Sequence, residues 1–202
     1  MRRLSNFENP SKKVLVLGYD EMEAQIIKAL VDKKCLVDHT NERVTGKGDY
    51  DFVVSFGYKH ILTKKIIDTF KCPIFNLHIS YLPYNRGAHP NFWSFYENTP
   101  SGVTIHLIDY GVDTGPIVCQ KYLDFKFDEY TFVETYEVLL KEIEKLFFEN
   151  LELFLTDNWS VSKQRGVGSF HKVKDLPKNF SGWHSNIKIE IERLNRQGLI
   201  YE

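Results

Sequence analysis

Two polar residues that could act on a carbonyl group stand at the end of an apolar segment. The stretch "PIFNLHISYLPYNRG" carries Asn76 and His78 just before a loop that contains Pro and Gly. Alternate residues of a strand point to the same face, so both side chains would face one cavity if the strand extends to His78. Asn76 could then donate its amide N–H to a developing oxyanion, while His78 hydrogen-bonds or protonates near the same centre.

A carboxylate that would complete this chemistry lies in "HLIDYGVDTGPIV". Here Asp109 and Asp113 stand between two apolar segments, and the glycines among them allow tight bends. We predict a loop in which Asp113 accepts the proton shed by the attacking group, directly or through water. Asn at a strand end and Asp in a Gly-containing loop also form ordinary turns, and a lone His often only packs. Spacing alone therefore leaves catalysis and turn formation both open.

The elements that would position these residues alternate along the chain. Short apolar segments at 12–18, 35–40, 50–57, 73–78, 102–109 and 116–125 predict strands, and helical patterns cover 20–34, 59–70, 89–98, 131–155 and 185–198. This alternation predicts an α/β fold with a doubly wound, mostly parallel sheet. Ligands of such sheets bind outside the carboxyl ends of the strands, which is where Asn76 and His78 would lie.

Two helices carry apolar faces that we interpret as core. In the first, Met22, Ile26, Ile27 and Leu30 share one face. In the long helix at 131–155, the predicted core stripe consists of Phe132, Val133, Tyr136, Leu139, Leu140, Ile143, Phe147, Leu151 and Phe154. The pattern weakens beyond it, so we predict a catalytic domain at 1–157 and a C-terminal extension at 158–202 that packs on or beside it.

Composition narrows the class of protein. The 202 residues suit one fairly large domain, and the net charge of −1 provides no general basic field for nucleic acid. No run of about 18 apolar residues predicts a membrane span, and the polar beginning of the chain does not resemble a secretory signal. Three widely spaced cysteines are expected to be reduced thiols in the cytoplasm.

Two motifs together resemble the formyltetrahydrofolate-dependent formyltransferases, whose core occurs in methionyl-tRNA and glycinamide ribonucleotide formyltransferases. "FNLHISYLPYNRGAHP" is similar to that family's Asn-x-His, Ser-x-Leu-Pro and Arg-Gly signature. "VTIHLIDYGVDTGPIV" is similar to its second motif, whose essential Asp falls on Asp113. The resemblance implies a Rossmann-like fold with helices on both faces, and an enzyme that uses 10-formyltetrahydrofolate without a metal. It assigns catalysis to Asn76, His78 and Asp113.

The same resemblance suggests where the folate pterin would lie. It places the pterin against His60, Ile61 and Leu62, and against the loop at Asp109, Tyr110 and Gly111. A helix start that packs on the core is the structural alternative for His60–Leu62.

The formyl acceptor is inferred from what distinguishes the family members. We expect neither the C-terminal tRNA domain of methionyl-tRNA formyltransferases nor the amino-terminal regulatory segment of formyltetrahydrofolate hydrolases. Acidic residues in "LGYDEMEAQ" would repel the phosphate that glycinamide ribonucleotide formyltransferases bind after their first strand. "LPYNRGAHPNFWSF" is most similar to sugar N-formyltransferases, which implies a nucleotide-linked amino sugar such as a dTDP-4-amino-4,6-dideoxyhexose. O-antigen biosynthesis and a homodimer are the corresponding expectations for pathway and assembly.

Candidate contacts to that acceptor are aromatic and basic. Tyr81, Tyr84, Phe92, Trp93 or Trp183 could stack on a base or cover a deoxysugar, although each could equally belong to the core. Arg86 beside the catalytic pair, and Lys163 and Arg165 in "SKQRGVGSFHK", could bind a diphosphate; a solvated turn is the alternative.

Three other functions stay open at this point. His78, His89 and His106 could be metal ligands together with Asp109 and Asp113, but no pair of them has the spacing of a known ligand motif. The chain could also be a non-catalytic folate or nucleotide-sugar binding module, or it could formylate another small amine such as glycinamide ribonucleotide.

Overall fold

The six apolar segments of the sequence form one seven-stranded sheet together with a short edge strand, Arg2–Arg3. The computed structural model describes residues 1–46 and 48–198. Its strands are β1 (Arg2–Arg3), β2 (Lys13–Gly18), β3 (Leu36–Thr40), β4 (Phe52–Phe56), β5 (Ile74–His78), β6 (Arg86–Gly87), β7 (Ser101–Leu107), β8 (Ile117–Leu123) and β9 (Phe170–His171). Its α-helices are α1 (Ile26–Asp32), α2 (Lys64–Ile67), α3 (Pro90–Tyr96), α4 (Phe132–Leu155) and α5 (Ile187–Gly198), and a 3₁₀ turn covers Val173–Asp175.

The sheet has a parallel centre and antiparallel edges. Its order is β1-β3-β2-β4-β5-β7-β8, in which β3, β2, β4 and β5 run parallel. The predicted Rossmann-like, mostly parallel sheet is therefore confirmed, while β1, β7 and β8 each pair antiparallel to a neighbour. Antiparallel pairing of β7 with β8 follows from their connection, residues 108–116, which is shorter than the dozen or so residues of a parallel crossover.

Helices cover both faces of the sheet, as predicted. The long helix α4 begins with a capping box, in which Thr131 and Glu134 each bond the other's backbone N–H. Its buried side chains join those of α1 and the sheet in the main core. On the opposite face, Phe70 packs with β2, β4 and Ile74, and α2 lies against this smaller cluster.

The first predicted helix is shorter than its periodicity suggests. Residues 20–25 form turns, and Met22 is 90% exposed, so its assignment to the core face was wrong. The Asp20 carboxylate accepts hydrogen bonds from the backbone N–H groups of Met22 and Glu23. Such local bonding competes with helix formation, and the helix starts only at Ile26.

The segment that follows α4 returns to the catalytic edge of the sheet. Its Ser162 pairs with Ile117 at the start of β8, and β9 pairs with β6 in a separate parallel ribbon. Farther on, α5 packs against α3. Among the described residues, no helix combines the length and the apolar character required to cross a bilayer.

Candidate active site

A cavity of about 1050 Å³ opens at the carboxyl ends of β4 and β5. Asn76, His78 and Asp113 all line it. Its position agrees with the rule that ligands of open α/β sheets bind outside the carboxyl ends of the strands. The two strand residues reach it because β5 extends through His78, and Asn76 lies two positions earlier on the same strand face.

Asp113 connects the residues predicted to act together. Its Oδ1 accepts from Asn76 Nδ2 at 3.3 Å, and its Oδ2 accepts from the backbone N–H of Gly87 at 2.8 Å. The His78 Nδ1 lies 3.8 Å from Oδ2, while the other ring nitrogen, Nε2, lies 3.4 Å from the carbonyl oxygen of Asn85. The structure thus brings together an amide, an imidazole and a carboxylate that are up to 37 positions apart in the chain.

The protonation states of the pair suit a site that works near neutral pH. Burial lowers the pKa of His78, which the charge of Asp113 opposes and the charge of His106 reinforces. Burial alone would raise the pKa of Asp113, but the charge of His78 when it is protonated, the nearby His106 ring and the hydrogen bond from the Gly87 N–H bring it well below its ordinary value. At neutral pH the site therefore holds a neutral His78 next to an ionised Asp113.

His106 is a member of the cluster that the sequence suggested only as a possible metal ligand. It is buried, its Nδ1 donates to the Leu107 carbonyl at 2.9 Å, and its Nε2 lies 3.1 Å from Asn76 Nδ2. With the proton on Nδ1, Nε2 accepts from the Asn76 amide and orients it. The contact arises from the antiparallel register of β5 and β7, which pairs Asn76 with His106.

Most residues predicted to contact the folate surround the cavity. His60, Ile61, Leu62, Asp109 and Gly111 line it. Within the 108–116 loop, the Asp109 carboxylate accepts from the Gly111 N–H and from the Thr114 hydroxyl, which closes the turn. Tyr110 is outside the lining: its hydroxyl donates to Asp68 and its ring lies below the Lys64 ammonium.

The residues predicted to contact the acceptor lie elsewhere. Tyr84, Arg86, Trp93, Lys163 and Arg165 do not line the cavity. Arg86 lies in the β6–β9 ribbon with its Nε near the Ser169 carbonyl, and Trp93 is buried and stacks on His171. Lys163 and Arg165 are exposed. Proximity in sequence to the motif did not place these side chains in the cavity: Arg86 belongs to the ribbon, Trp93 packs within α3 and against His171, and Lys163 and Arg165 point to solvent.

The cavity has two walls that were not assigned to it. One comes from α4, where Val133, Tyr136 and Leu140 line the site, so these members of the predicted core stripe face the cavity. The other comes from the C-terminal segment, whose contributions are Phe170, His171, Val173, Trp183 and His184. Trp183 is the one aromatic of the five suggested acceptor contacts that the described cavity includes.

Charge in the cavity is sparse. Within the described residues, Lys59 is the one lysine or arginine of the lining. In the same part of the chain, no three His, Cys, Asp or Glu side chains are grouped in a way that could hold a metal ion. The cluster of His78, His106 and Asp113 is instead joined through Asn76, whose amide hydrogen-bonds both the His106 ring and the Asp113 carboxylate, while the ring nitrogens of His78 and His106 lie 3.8 and 3.5 Å from the Asp113 oxygens.

Comparison with known proteins agrees with this geometry. The model of a family described as formyl transferase matches residues 10–151. The formyltransferase PseJ from Anoxybacillus kamchatkensis, solved in complex with UDP-4,6-dideoxy-4-formamido-L-AltNAc and tetrahydrofolate, is 38% identical with a TM-score of 0.80. The alignment covers 87% of this chain and 96% of that one.

Curated relatives include two kinds of formyltransferase. A methionyl-tRNA formyltransferase from Clostridium beijerinckii is 31% identical over 83% of this chain and 52% of the relative. The dTDP-4-amino-4,6-dideoxyglucose formyltransferase of Mycobacterium tuberculosis is 42% identical over 36% of this chain and 30% of the relative. The chain thus spans about half or less of the length of these curated relatives.

Proposed function

The chain belongs to the formyl transferase family, and we propose that it transfers the formyl group of 10-formyltetrahydrofolate to the amine of a nucleotide-linked amino sugar. One observation carries this proposal: Asn76, His78 and Asp113 converge in a single cavity that also contains the predicted folate contacts. Its volume of about 1050 Å³ is at the upper end of the range for small-molecule sites, which suits two substrates bound side by side.

The proposed reaction begins with attack of the acceptor amine on the formyl carbon. A C–N bond forms, and the carbonyl electrons move onto oxygen. We assign stabilisation of that charge to the Asn76 amide, one hydrogen of which leaves His106 or Asp113, its acceptors in the free site, to bind the oxyanion. The amine nitrogen then loses a proton, the bond from carbon to N10 of the folate breaks, and N10 takes up a proton. The products are tetrahydrofolate and the formamido sugar.

The pKa directions determine which groups handle the proton. Asp113 alone is a weak base, because its pKa lies well below the ordinary value of a carboxyl group. His78 is neutral at pH 7, because burial lowers its pKa, and a neutral imidazole can accept the amine proton. We therefore assign proton acceptance to the His78–Asp113 pair, in which the carboxylate stabilises the imidazolium once it forms.

The two ends of the cavity suit different substrates. His60, Ile61 and Leu62 line one end of the cavity together with Asp109 and Gly111, and we assign the pterin to this end. We assign the acceptor to the wall formed by the C-terminal segment, where Trp183 offers an aromatic surface for a base or a deoxysugar. A UDP-linked 4-amino-4,6-dideoxy sugar is the favoured acceptor, because the similarity to PseJ extends over 87% of the chain.

A direct assay tests the proposal. Purified protein is incubated with 10-formyltetrahydrofolate and, separately, with UDP- and dTDP-linked 4-amino-4,6-dideoxy sugars, glycinamide ribonucleotide and methionyl-initiator tRNA. We expect release of tetrahydrofolate and a formamido product from an amino sugar, with the same rate when a chelator is added. Transfer to glycinamide ribonucleotide or to the tRNA at a matching rate would contradict the sugar assignment, and folate binding without any transfer would indicate a binding module.

A further inference from the structure

The side chain of Gln164 contacts the 108–116 loop, which carries Asp113 and is called the catalytic loop below. Gln164 itself lies outside the matched family domain. It lies in the C-terminal segment, beyond residue 151 where the family match ends. Its side-chain Nε2 donates to the backbone carbonyl of Asp113 at 2.8 Å and to that of Gly115 at 2.8 Å. Both amide hydrogens are thus committed, and the opposite orientation of the amide would place its oxygen against two carbonyl oxygens.

The backbone that Gln164 contacts has an uncommon conformation and a close approach to β7. Asp113 has a φ of +52°, in the left-handed region that side chains other than glycine rarely adopt. At Gly115 an added Cβ would collide with the Leu107 carbonyl oxygen, so the chain passes close to β7 there. Such a conformation persists only where surrounding contacts determine it. Gln164 supplies two of these contacts, one on Asp113 itself and one two residues later.

The segment that carries Gln164 is itself attached to the sheet. Two residues before Gln164, Ser162 exchanges backbone hydrogen bonds of 2.8 Å with Ile117, which follows the catalytic loop at the start of β8. The loop and the segment that contacts it are therefore fastened to the same strand. This arrangement can transmit the rigidity of the sheet to the Asp113 carboxylate.

We propose that Gln164 is a positioning residue for catalysis. It keeps the Asp113 carboxylate next to His78 and the Gly87 N–H. Gln164 does not line the cavity and contacts neither substrate by this assignment. Its effect should fall on the chemical step, because displacement of a catalytic group by about 1 Å can cost about 100-fold in rate. The proposal rests on the formyl transfer proposed above.

The first test is Gln164→Ala with steady-state kinetics. We expect kcat to fall by about 10- to 100-fold, with both KM values within about threefold of wild type. The control is Gln120→Ala, which removes an amide that donates to the Leu82 carbonyl at 3.1 Å from the neighbouring strand and has no contact with Asp113. It should lower the melting temperature to a similar extent and leave kcat within about twofold of wild type.

A second variant is tested by the pH dependence of its kcat, which a general loss of stability would not change. In Gln164→Glu the side chain keeps its shape but turns a carboxylate toward two carbonyl oxygens, and only the protonated acid regains a donor. The ratio of its kcat to that of wild type should therefore rise as the pH is lowered from 8 to 6. Taking the ratio removes the acid limb that both proteins share.

A third measurement does not depend on activity. The Gly87 N–H donates to Asp113 Oδ2 at 2.8 Å, so its hydrogen exchange reports the position of that carboxylate. Exchange should be at least tenfold faster in Gln164→Ala and unchanged in Gln120→Ala. If wild type transfers no formyl group, the proposed function fails and this exchange rate alone decides the positioning role.

The positioning role is overturned by any of three results. These are a Gln164→Ala kcat within twofold of wild type, a ratio for Gln164→Glu that stays flat with pH, or unchanged exchange at Gly87. An equal loss of kcat in Gln120→Ala would assign the effect to stability and would overturn it as well.

Discussion

Asp113 has a role at the level of single residues that follows from its neighbours. Gly87 N–H and Asn76 Nδ2 donate to its two oxygens, and the rings of His78 and His106 lie within 3.8 and 3.5 Å. These contacts keep the carboxylate ionised and direct it at the imidazole that changes its protonation state. In the proposed reaction, Asp113 contributes a fixed negative charge and His78 the exchangeable proton.

Removing either partner should stop formyl transfer without unfolding the protein. We expect His78→Asn and Asp113→Asn to lose at least about 100-fold in kcat, the scale of losing a catalytic acid–base group or an oxyanion donor. Folate should still raise the melting temperature of both, since ligand binding stabilises the folded state. Asp124→Asn, at an exposed carboxylate outside the cavity lining, is the matched control. A variant that keeps more than about a tenth of the wild-type rate would refute its assigned role.

Stability should depend on pH through His78. Its pKa is lowered in the folded protein, so the unfolded chain binds a proton more readily and stability falls as the pH drops below about 6.5. The partly buried His89 acts in the same direction, because loss of solvent lowers its pKa too. Asp113, whose folded pKa is lowered, contributes stability above about pH 4 that is lost only as the pH falls toward its folded pKa.

Urea unfolding at pH 7, 6 and 5 measures this dependence. The free energy of unfolding should fall by at most about 1.4 kcal/mol per pH unit for each such histidine. His78→Asn should show a shallower slope than wild type. Equal slopes would mean that the pKa of His78 does not differ between the folded and unfolded states. The acid limb of activity should likewise lie below about pH 6.5, unless protonation of the acceptor amine determines it.

At the level of elements, α4 serves two purposes with adjacent residues. Its apolar stripe looks uniform in sequence, but only part of it is core. Leu139, Ile143 and Phe147 are buried in the main cluster, whereas Val133, Tyr136 and Leu140 face the cavity. The helix does both because these residues alternate around it: Leu139 lies in the core and the next residue, Leu140, lines the cavity.

Neighbouring leucines of α4 should separate these purposes. Leu139 is 1% exposed, so Leu139→Ala should lower the free energy of unfolding by about 2–5 kcal/mol with little change in KM. Leu140 is partly buried and lines the cavity, so Leu140→Ala should cost less stability. It should raise the KM of one substrate by about tenfold, because apolar surface that the ligand covers is lost. Indistinguishable effects of the two variants would contradict the division.

At the level of the whole molecule, the site needs both the sheet and the segment that follows α4. The sheet supplies Asn76, His78 and the loop of Asp113, and the returning segment supplies Gln164 and the wall that contains Trp183. In that segment β9 pairs with β6, and Gly87 of β6 donates to Asp113. The predicted division at residue 157 therefore separates two stretches of chain that build a single cavity.

Trp183→Ala tests the contribution of that wall. The ring contacts His89, Phe132 and Phe180, and it is partly exposed toward the cavity. We expect the acceptor KM to rise by about tenfold, the KM for folate to stay within about threefold, and stability to fall modestly. Val167→Ala, at an exposed position outside the lining, serves as the control. A rise in the folate KM instead would move the pterin to this end of the cavity.

The sequence alone indicated most elements, and its two family motifs together indicated the chemistry. Apolar segments of strand length and the periodic pattern of α4 depend on neighbours within a few residues, so they predicted six strands of the sheet and the long helix. The Asn76–His78 spacing and the Asp-containing loop likewise indicated an amide, an imidazole and a carboxylate. Signals of this kind predict strands and turns because strand alternation and turn formation depend on residues that are close together in the chain.

Only the tertiary structure decided which residues share the cavity. His106 reaches Asn76 through the register of β5 and β7, and Gln164 reaches Asp113 across 51 positions of chain. Arg86, Lys163 and Arg165 looked suitable by charge, yet the fold places all three outside the lining. Contacts between distant segments depend on how whole elements pack, and the identity of a side chain does not encode its distance from a partner that lies elsewhere in the chain.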